Sequence, residues 1–298
     1  MNQAVIDIGS NSMRLTVYNI DGSDFDILFR DKVIAGLAGY VEQGSLSKGG
    51  IDRAVSALGH FRDVIDNLSI ENVCVFATAS LRNINNTEEA VEEISARSGF
   101  EIDVISGEEE ALLGYQGSMR ECHMDSGVFV DVGGASTEAV IFADGAMISS
   151  KSYEVGSLKL YKECVSKLVP GKEGIARIRE AVNGAFGKKS FRGKGMPDSM
   201  ICIGGTARAI MKTACYLYDL PADTREITKS QFYEVGRKLL SSQEEAAALI
   251  LRIAPERIHT MIPGYLILRE IADRIEPEIF AVGRCGVREG YLCRKILK

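Results

Sequence analysis

Several residue types are scarce in this 298-residue sequence or missing from it. There is no Trp, there are six Pro and three His, and the seven Cys are odd in number. The cysteines include no C-x-x-C pair and the histidines are scattered, which argues against a disulfide framework, a zinc site or a histidine-based metal cluster. No apolar run approaches the roughly 20 residues that cross a membrane, and the first residues enter a strand-like run without a basic leader. We therefore expect a reduced, cytoplasmic protein with no membrane partner.

The charge balance is acidic. The formal net charge is −6, whereas proteins that bind nucleic acid through its phosphates are usually basic. We therefore expect no nucleic-acid partner, and a small polyanionic substrate would need local basic groups. Hydrophobic residues make up 46% of the sequence and charged residues 26%, which is ordinary for a folded globular protein and excludes a disordered chain.

An internal repeat is the most informative pattern. Residues 5–14 read VIDIGSNSMR and residues 129–138 read FVDVGGASTE, and each segment precedes an apolar run and an Asp-Gly turn. Each copy predicts a strand, a polar loop, a second strand, a hairpin turn and a third strand. The aligned pairs are Asp7 with Asp131, Gly9 with Gly133, Ser12 with Ser136 and Arg14 with Glu138. A chance likeness of two hairpins is the alternative, but the recurrence in order favours two related halves with a boundary near residues 120–126.

The rest of the sequence alternates helical and strand patterns, which is typical of an α/β fold. Apolar residues at helical spacing predict a helix over 51–68. Short apolar runs predict strands at 73–78, 102–105 and 201–203. Two capping boxes predict helix starts. The first is Asn86 with Glu89, in a helix that Gly99 ends, and the second is Ser106 with Glu109.

The two repeated loops have a composition suited to phosphate. Glycine lets the backbone come close to a ligand, and successive N–H groups together with hydroxyls form a concave anion site. Asp7 and Asp131 cannot bind phosphate directly, but such acids hold a magnesium ion or its waters, or orient an attacking water. The alternative is that each is a loop-capping acid that accepts bonds from nearby N–H groups. Two such loops facing each other across a cleft would hold a chain of phosphates.

Short segments along the chain carry a resemblance to a known family. They read DIGSNS at 7–12, TASLR at 78–82, SGEEEA at 106–111, DVGGASTE at 131–138, IGGT at 203–206, IPG at 262–264 and GVREG at 286–290. In this order they resemble the exopolyphosphatase / guanosine pentaphosphate phosphohydrolase family over nearly the whole chain. The resemblance implies an α/β fold of two duplicated ribonuclease-H-like domains, the actin-like ATPase fold, with an interdomain cleft. We expect the first domain at 1–122, joined by a C-terminal helix at 284–298, and the second at 123–283.

One position departs from the family pattern. The second loop of the family usually reads Gly-Gly-Gly-Ser, and here Ala135 stands at the third position. If that position needed a positive φ, alanine would cost on the order of 1 kcal/mol and weaken phosphate binding. An extended or right-handed helical backbone would make the change harmless.

The resemblance implies roles for the matching residues, with Glu110, Arg82 and Asp131 as the catalytic set. Glu110 would be the general base, and Arg82 and Arg14 would contact phosphate through planar, bidentate guanidinium groups. The helix register agrees, because Glu109 would reach back to the Ser106 cap while Glu110, on a different face, would point into a cleft. The alternatives are a solvated acidic helix start and surface ion pairs. The implied phosphate-binding residues are Gly9, Ser10, Asn11, Ser12, Arg14, Gly133, Gly134, Ala135, Ser136, Thr137, Gly204, Gly205 and Thr206.

Asp7, Asp131 and Glu138 are expected to organise Mg²⁺, or another divalent cation, and its water. The turn at 204–206 leads from a strand into a helix, whose N-terminus is able to hold an anion, and a packed tight turn is the alternative. A basic run offers a path for a long polyphosphate, although a solvated loop is the more common explanation. Its members are Lys188, Lys189, Arg192 and Lys194.

The expected reaction is metal-assisted hydrolysis of a phosphoanhydride. The substrate would be the terminal phosphate of inorganic polyphosphate or the 5′ phosphate of guanosine pentaphosphate, a link to the stringent response. Glu110 would take a proton from the attacking water, while the cation, the arginines and the loop N–H groups stabilise charge. Two alternatives stay open, a polyphosphate-dependent phosphotransferase to nucleoside diphosphates and a non-catalytic sensor of an alarmone or of polyphosphate. A homodimer is a possible assembly.

Overall fold

The computed structural model describes residues 1–122, 124–188, 190–191 and 199–297 of the chain. The chain folds into two compact units. The first unit comprises Met1–Leu113 with Arg288–Lys298, and the second unit comprises Gly114–Val287. The N-terminal stretch of the first unit ends at Leu113, inside a helix, Gly107–Ser118, and not at residue 122. Because the helix continues through this point, no loop or change of composition marks it in the sequence.

The first unit begins with the first copy of the repeat. The three strands of that copy are β1 (Asn2–Ile8), β2 (Met13–Asp21) and β3 (Asp24–Val33). After a 3-10 turn at Leu37–Tyr40, the chain forms β4 (Val41–Glu42), β5 (Ser45–Leu46), α1 (Lys48–Asn67), β6 (Asn72–Ala77), α2 (Ala79–Arg82), α3 (Thr87–Ser98), β7 (Ile102–Val104) and α4 (Gly107–Ser118).

The second unit begins with the second copy of the repeat. Its strands are β8 (Gly127–Val132), β9 (Thr137–Ala143) and β10 (Ala146–Tyr153). They are followed by α5 (Ser157–Cys164), α6 (Lys172–Phe186), β11 (Ser199–Ile203), α7 (Gly204–Tyr218), β12 (Glu226–Thr228), α8 (Lys229–Leu239), α9 (Gln243–Ile253), a 3-10 turn at Pro255–Arg257, α10 (Met261–Ile275) and β13 (Ile279–Val282). The last helix, α11 (Val287–Lys295), belongs from Arg288 onward to the first unit.

The two main sheets show the duplication directly. The first sheet has the strand order β3-β2-β1-β6-β7, and the second has the order β10-β9-β8-β11-β13-β12. In each sheet the three strands of the repeat are antiparallel neighbours, and the first of them pairs in parallel with a later strand, β6 or β11. The predicted α/β class and the predicted duplicated unit are therefore confirmed.

The two faces of the first sheet differ in chemistry. On one face, Ile6, Ile8 and Leu15 lie in an apolar core with side chains of α1 such as Leu58 and Phe61. Because strand side chains alternate between faces, the other face carries Asp7 and Arg14, and then Thr16 and Tyr18 further along β2. Helix α11 covers this polar face, where Tyr291 stacks on Phe76 of β6 with ring centroids 4.8 Å apart. The acid of the first loop thus lies on the polar side of its sheet.

A large apolar core lies in the second unit. Val128 and Val130 of β8 pack in it with Met200 and Cys202 of β11, against apolar side chains of α7 and α10. Phe232 of α8 stacks on Phe280 of β13 with ring centroids 4.8 Å apart. This packing holds the parallel strands of the second sheet, whose carboxyl ends carry the second loop and the turn at 204–206. Among the described residues, no helix combines the length and the apolar character needed to cross a bilayer.

One of the two predicted capping boxes is wrong. Helix α3 begins after Asn86 and ends before Gly99, as expected, but the Asn86 side chain makes no bond to the helix start. Its amide instead accepts a bond from the Leu46 N–H at 2.9 Å and donates one to the Leu46 carbonyl at 3.1 Å. The Asn86 amide therefore binds the backbone of β5, which is distant in sequence, and does not cap the helix. The Ser106 hydroxyl does accept a bond from the Glu109 N–H at 3.0 Å.

Candidate active site

The first loop, residues 9–12, is held by its carbonyl groups. The Ser10 carbonyl accepts a bond from the Ala38 N–H at 3.0 Å, and the Asn11 carbonyl accepts one from the Gly36 N–H at 2.9 Å. In a trans peptide the N–H points opposite to the carbonyl, so the N–H groups of Asn11 and Ser12 point away from residues 36–38. A side chain at Gly9 would place its Cβ 2.9 Å from the Ser12 carbonyl oxygen, so this tight turn requires glycine.

The second loop, residues 133–136, is held in the same way by the start of α5. The Gly133 carbonyl accepts bonds from the N–H and the hydroxyl of Ser157 at 2.9 and 3.0 Å. The Gly134 carbonyl accepts bonds from the N–H groups of Leu158 and Lys159, both at 2.9 Å. The N–H groups of Gly134 and Ala135 therefore point away from α5.

Each loop thus presents two successive N–H groups on one side, which is the arrangement of a backbone anion site. The groups that hold the loop carbonyls differ between the two units. They belong to a 3-10 turn in the first unit and to a helix N-terminus in the second. The geometry suits the predicted phosphate-binding residues in both loops, and their role stays a prediction.

Ala135 carries no backbone strain. The non-glycine residues of the described chain that have a positive φ are Gln43, Ser69, Asp144, Phe191, Asp219 and Glu276. Ala135 therefore lies outside the left-handed region, and its methyl group incurs none of the cost that alanine has in that region. Glycine is instead required at Gly156, where a Cβ would overlap the backbone of Gly134 and Ala135.

The repeated charged positions face each other across the first two strands of each copy. In the first unit, Asp7 lies opposite Arg14, with Oδ2 and Nη1 3.9 Å apart. Burial raises the pKa of Asp7, and the charges of Arg14 and Arg288 act in the opposite direction. In the second unit, Asp131 lies opposite Glu138. The two copies therefore place an ion pair and a pair of carboxylates at the same structural position.

Glu138 is buried and held in place. Its side chain is 1% exposed, and its Oε1 accepts a bond from the Ser152 hydroxyl at 2.8 Å. The Ser152 position lies directly opposite on β10. A buried carboxylate with a fixed hydrogen bond is oriented in advance for any group that it binds.

Glu110 and Arg82 form an ion pair within the first unit. Arg82 ends the short helix α2 that follows β6, and its Nη1 donates to Glu110 Oε2 at 2.8 Å and to the Ile105 carbonyl at 3.0 Å. Glu110 is 7% exposed, so the alternative of a solvated acidic helix start does not describe it. Its neighbour Glu109 lies 3.3 Å from Lys295 Nζ. The structure therefore brings together the two residues predicted as general base and phosphate ligand.

The site residues of the first unit share one edge of the sheet. Strands β1, β6 and β7 are parallel, and the first loop, α2 and α4 follow their carboxyl ends. The Ser80 hydroxyl donates to the Ile8 carbonyl at 2.5 Å and so ties α2 to the start of the first loop. Ligands of open α/β sheets bind at this edge, which is where the structure places Glu110 and Arg82.

The turn at 204–206 combines two environments. Gly204 has φ 89°, and a Cβ there would lie 2.7 Å from Asp131 Oδ1. A Cβ at Gly205 would overlap the guanidinium group of Arg257, so this arginine lies against the N-terminus of α7. Thr206 is buried and packs against Gly264 of α10. The packed-turn alternative therefore describes the Thr206 side chain, whereas the glycines lie beside charged groups.

Arg257 was missed in the sequence. It belongs to the 3-10 turn at Pro255–Arg257, which carries no recognisable motif. The one available signal was indirect, since a glycine at position 205 implies that another group approaches the backbone closely. The predicted polyphosphate path along the basic run stays a prediction. Of its four residues, Lys188 is exposed, whereas Lys189, Arg192 and Lys194 lie outside the described residues.

The residues available for a divalent cation are the carboxylates of the two loops. Among the described residues, no group of three or more His, Cys, Asp or Glu is placed to hold a metal ion. The predicted set takes Asp7 from the first unit and Asp131 with Glu138 from the second. Mg²⁺ is commonly held by one or two carboxylates, with waters and substrate phosphates completing its shell. The facing pair of Asp131 and Glu138 fits that requirement.

Comparison with known proteins identifies the family. A model of the Ppx/GppA phosphatase family matches residues 16–298. The chain belongs to the Ppx/GppA phosphatase family. The resemblance seen in the motifs is confirmed, and so is the predicted enzyme class, a phosphoanhydride hydrolase.

Relatives of two kinds are similar to this Ppx/GppA chain. Exopolyphosphatase 1 of Mycobacterium tuberculosis is 21% identical over 304 residues, which cover 99% of this chain and 88% of that protein. The guanosine-5′-triphosphate,3′-diphosphate pyrophosphatase of Vibrio cholerae is 37% identical over 306 residues. These residues cover 97% of this chain and 58% of the Vibrio protein, so this chain spans little more than half of that relative.

Solved structures confirm the fold of this Ppx/GppA chain. An exopolyphosphatase from Cytophaga hutchinsonii has a TM-score of 0.87 and 20% identity, with 98% of this chain and 96% of that chain covered. A family member from Aquifex aeolicus has a TM-score of 0.79 and 24% identity, with 100% and 98% covered. The predicted actin-like ATPase fold with two duplicated halves is therefore confirmed.

Proposed function

We propose that this phosphatase removes the terminal phosphate of inorganic polyphosphate, of guanosine pentaphosphate, or of both. The observation that carries the proposal is the ion pair of the buried Glu110 with Arg82 at the carboxyl edge of the first sheet, beside a loop with two N–H groups oriented to face an anion. The names of the Mycobacterium and Vibrio relatives support these two substrates.

Glu110 acts as the general base that takes a proton from the attacking water. A guanidinium group at hydrogen-bond distance favours the ionised form of a carboxylate, which is the form that accepts a proton. A phosphate offers Arg82 a second acceptor, and a guanidinium group binds phosphate in a planar, bidentate manner. Substrate binding would therefore draw Arg82 from Glu110 and leave the carboxylate available to the water.

The loops and Arg14 bind the phosphates. The N–H groups of Asn11, Ser12, Gly134 and Ala135 are oriented by the carbonyl contacts of their loops before any ligand arrives. Fixed donors of this kind stabilise developing charge without reorganising at the moment of reaction. Arg14, next to the first loop, supplies a positive charge that Asp7 holds in position across the strand pair.

Asp131 and Glu138 would hold the divalent cation together with water and the phosphate oxygens. The cation supplies neutralisation of the phosphate charge when it is bound. Glu138 is fixed by Ser152, and Asp131 lies close to Gly204. The strand register places these two residues directly opposite each other on β8 and β9.

The test is phosphate release by the purified chain, with long polyphosphate and guanosine pentaphosphate as parallel substrates and with or without Mg²⁺. Glu110→Gln should lower turnover by on the order of 10²–10⁴ while substrate binding persists. The matched control is Glu108→Gln, an exposed acid in the same helical turn, which should keep wild-type turnover. Undiminished turnover in Glu110→Gln would exclude Glu110 as the base.

The same assay separates the two alternatives. A phosphotransferase would form a nucleoside triphosphate from added diphosphate, whereas a hydrolase releases inorganic phosphate only. A sensor would bind the substrate tightly without release. Weak phosphate binding caused by a strained Ala135 would have favoured a sensor, and the backbone of Ala135 outside the left-handed region removes that reason.

A further inference from the structure

The polar face of the first sheet contains a buried carboxylate that the proposed reaction does not use. Glu289 of α11 is 1% exposed. Its Oε1 accepts a bond from the Tyr18 hydroxyl at 2.8 Å and lies 4.0 Å from Arg30 Nη2. The hydrogen bond joins the last helix to the second strand of the chain.

The preceding residue makes a second bond to the same strand. Arg288 Nη1 donates to Thr16 Oγ1 at 2.8 Å, and Thr16 is fully buried. Thr16 and Tyr18 are two residues apart on β2 and therefore lie on one face. We call the group of Thr16, Tyr18, Arg288 and Glu289 the α11–β2 clamp.

The clamp lies next to the first loop. Arg14 is two residues before Thr16 on the same face of β2, and it lies opposite Asp7 on β1. The loop at 9–12 joins these two strands. A shift of β2 along its axis would therefore move Arg14 and the last residue of the loop together.

Stability alone is a poor explanation of the clamp. Removing a charged group from water costs several kcal/mol, and well-packed apolar residues often replace buried ionic groups at no loss of stability. Helix α11 also has apolar and tight contacts of its own, since Tyr291 stacks on Phe76 and Gly290 packs against the Leu113 backbone. These contacts dock the helix without Arg288 and Glu289.

We propose that Arg288 and Glu289 are positioning residues that set the placement of β2, and through it the orientation of Arg14 and of loop 9–12 toward phosphate. The proposal rests on the proposed function for its kinetic consequences. Its structural part, the restraint of loop 9–12, does not depend on any activity.

The test uses variants that remove one bond with little change of volume. Thr16→Val removes the acceptor of Arg288, and Tyr18→Phe removes the donor to Glu289. Arg294→Gln, an exposed residue of the same helix, is the control. Hydrogen–deuterium exchange should be faster in the peptide that covers residues 8–18 in both variants and unchanged in the control.

The kinetic readout is a double-mutant cycle with Arg14. Thr16→Val should lower kcat/KM for polyphosphate on the order of 3–10-fold, because small displacements of a binding group are costly to catalysis. Thr16→Ser, which keeps the hydroxyl, should restore most of it. In an Arg14→Gln background, Thr16→Val should add less than a twofold loss, a coupling that a merely structural role would not produce.

The outcomes separate the two proposals. If the wild-type chain releases no phosphate, the proposed function fails, and exchange in residues 8–18 alone decides whether the clamp restrains the loop. Equal exchange in Thr16→Val, Tyr18→Phe and the control overturns the clamp whatever the activity. Faster exchange with additive kinetic losses also overturns it, because Arg14 would then act independently of β2.

Discussion

Removal of Arg82 should expose the cost of the buried carboxylate at Glu110. The side chains of Arg82 and Glu110 are 17% and 9% exposed, and they meet at 2.8 Å. Breaking such a pair by removing one partner typically costs about 3–5 kcal/mol, because the other charge stays buried without the partner that stabilised it. Arg82→Met should therefore lower the thermal midpoint at neutral pH by on the order of 10 °C.

A second variant separates the charge of Glu110 from the packing of the pair. The double variant Arg82→Met/Glu110→Gln should regain much of the loss at pH 7.5, since a neutral amide is less costly to bury than a charge.

Differential scanning fluorimetry of the single and double variants at pH 7.5 measures both midpoints. The control is Arg97→Met, the same substitution at an exposed arginine that is paired with Asp52 and Glu93. This control should change the thermal midpoint little, because exposed ion pairs contribute little to stability. If Arg82→Met is as stable as that control at pH 7.5, then Glu110 is not a buried carboxylate that depends on Arg82 for its charge, and the reasoning is refuted.

Two further changes test other parts of the site. Asp7→Asn should raise the thermal midpoint at neutral pH, because burial raises the pKa of Asp7 and so disfavours its ionised form. The gain over wild type should disappear as the pH falls through that pKa. A lower midpoint at neutral pH would contradict this prediction. Gly205→Ala should displace the Arg257 side chain with little loss of stability, because that side chain is able to move. If the guanidinium group of Arg257, at the N-terminus of α7, contacts substrate phosphate, KM should rise with an unchanged thermal midpoint. An unchanged KM would exclude Arg257 from substrate binding.

The repeat was the part of the fold that local pattern could predict. The Asp-Gly pairs at 21–22 and 144–145 mark the hairpin turns after β2 and β9, so these hairpins were readable without any distant contact. The prediction failed at Asn86, whose amide prefers the backbone of Leu46, a partner that lies in another segment of the chain. The division between Leu113 and Gly114 was hidden for a related reason, because α4 passes through it as an unbroken helix.

The family, the α/β class and the catalytic candidates could be predicted from short segments, because each of these depends on residues that are neighbours in the chain. How these residues are held became visible in the folded protein. It paired Glu110 with Arg82, set Arg257 against Gly205, and joined Glu289 to Tyr18 across most of the chain length. These contacts depend on how parallel strands and covering helices bring distant segments to one sheet edge or face, and no local pattern carries that information.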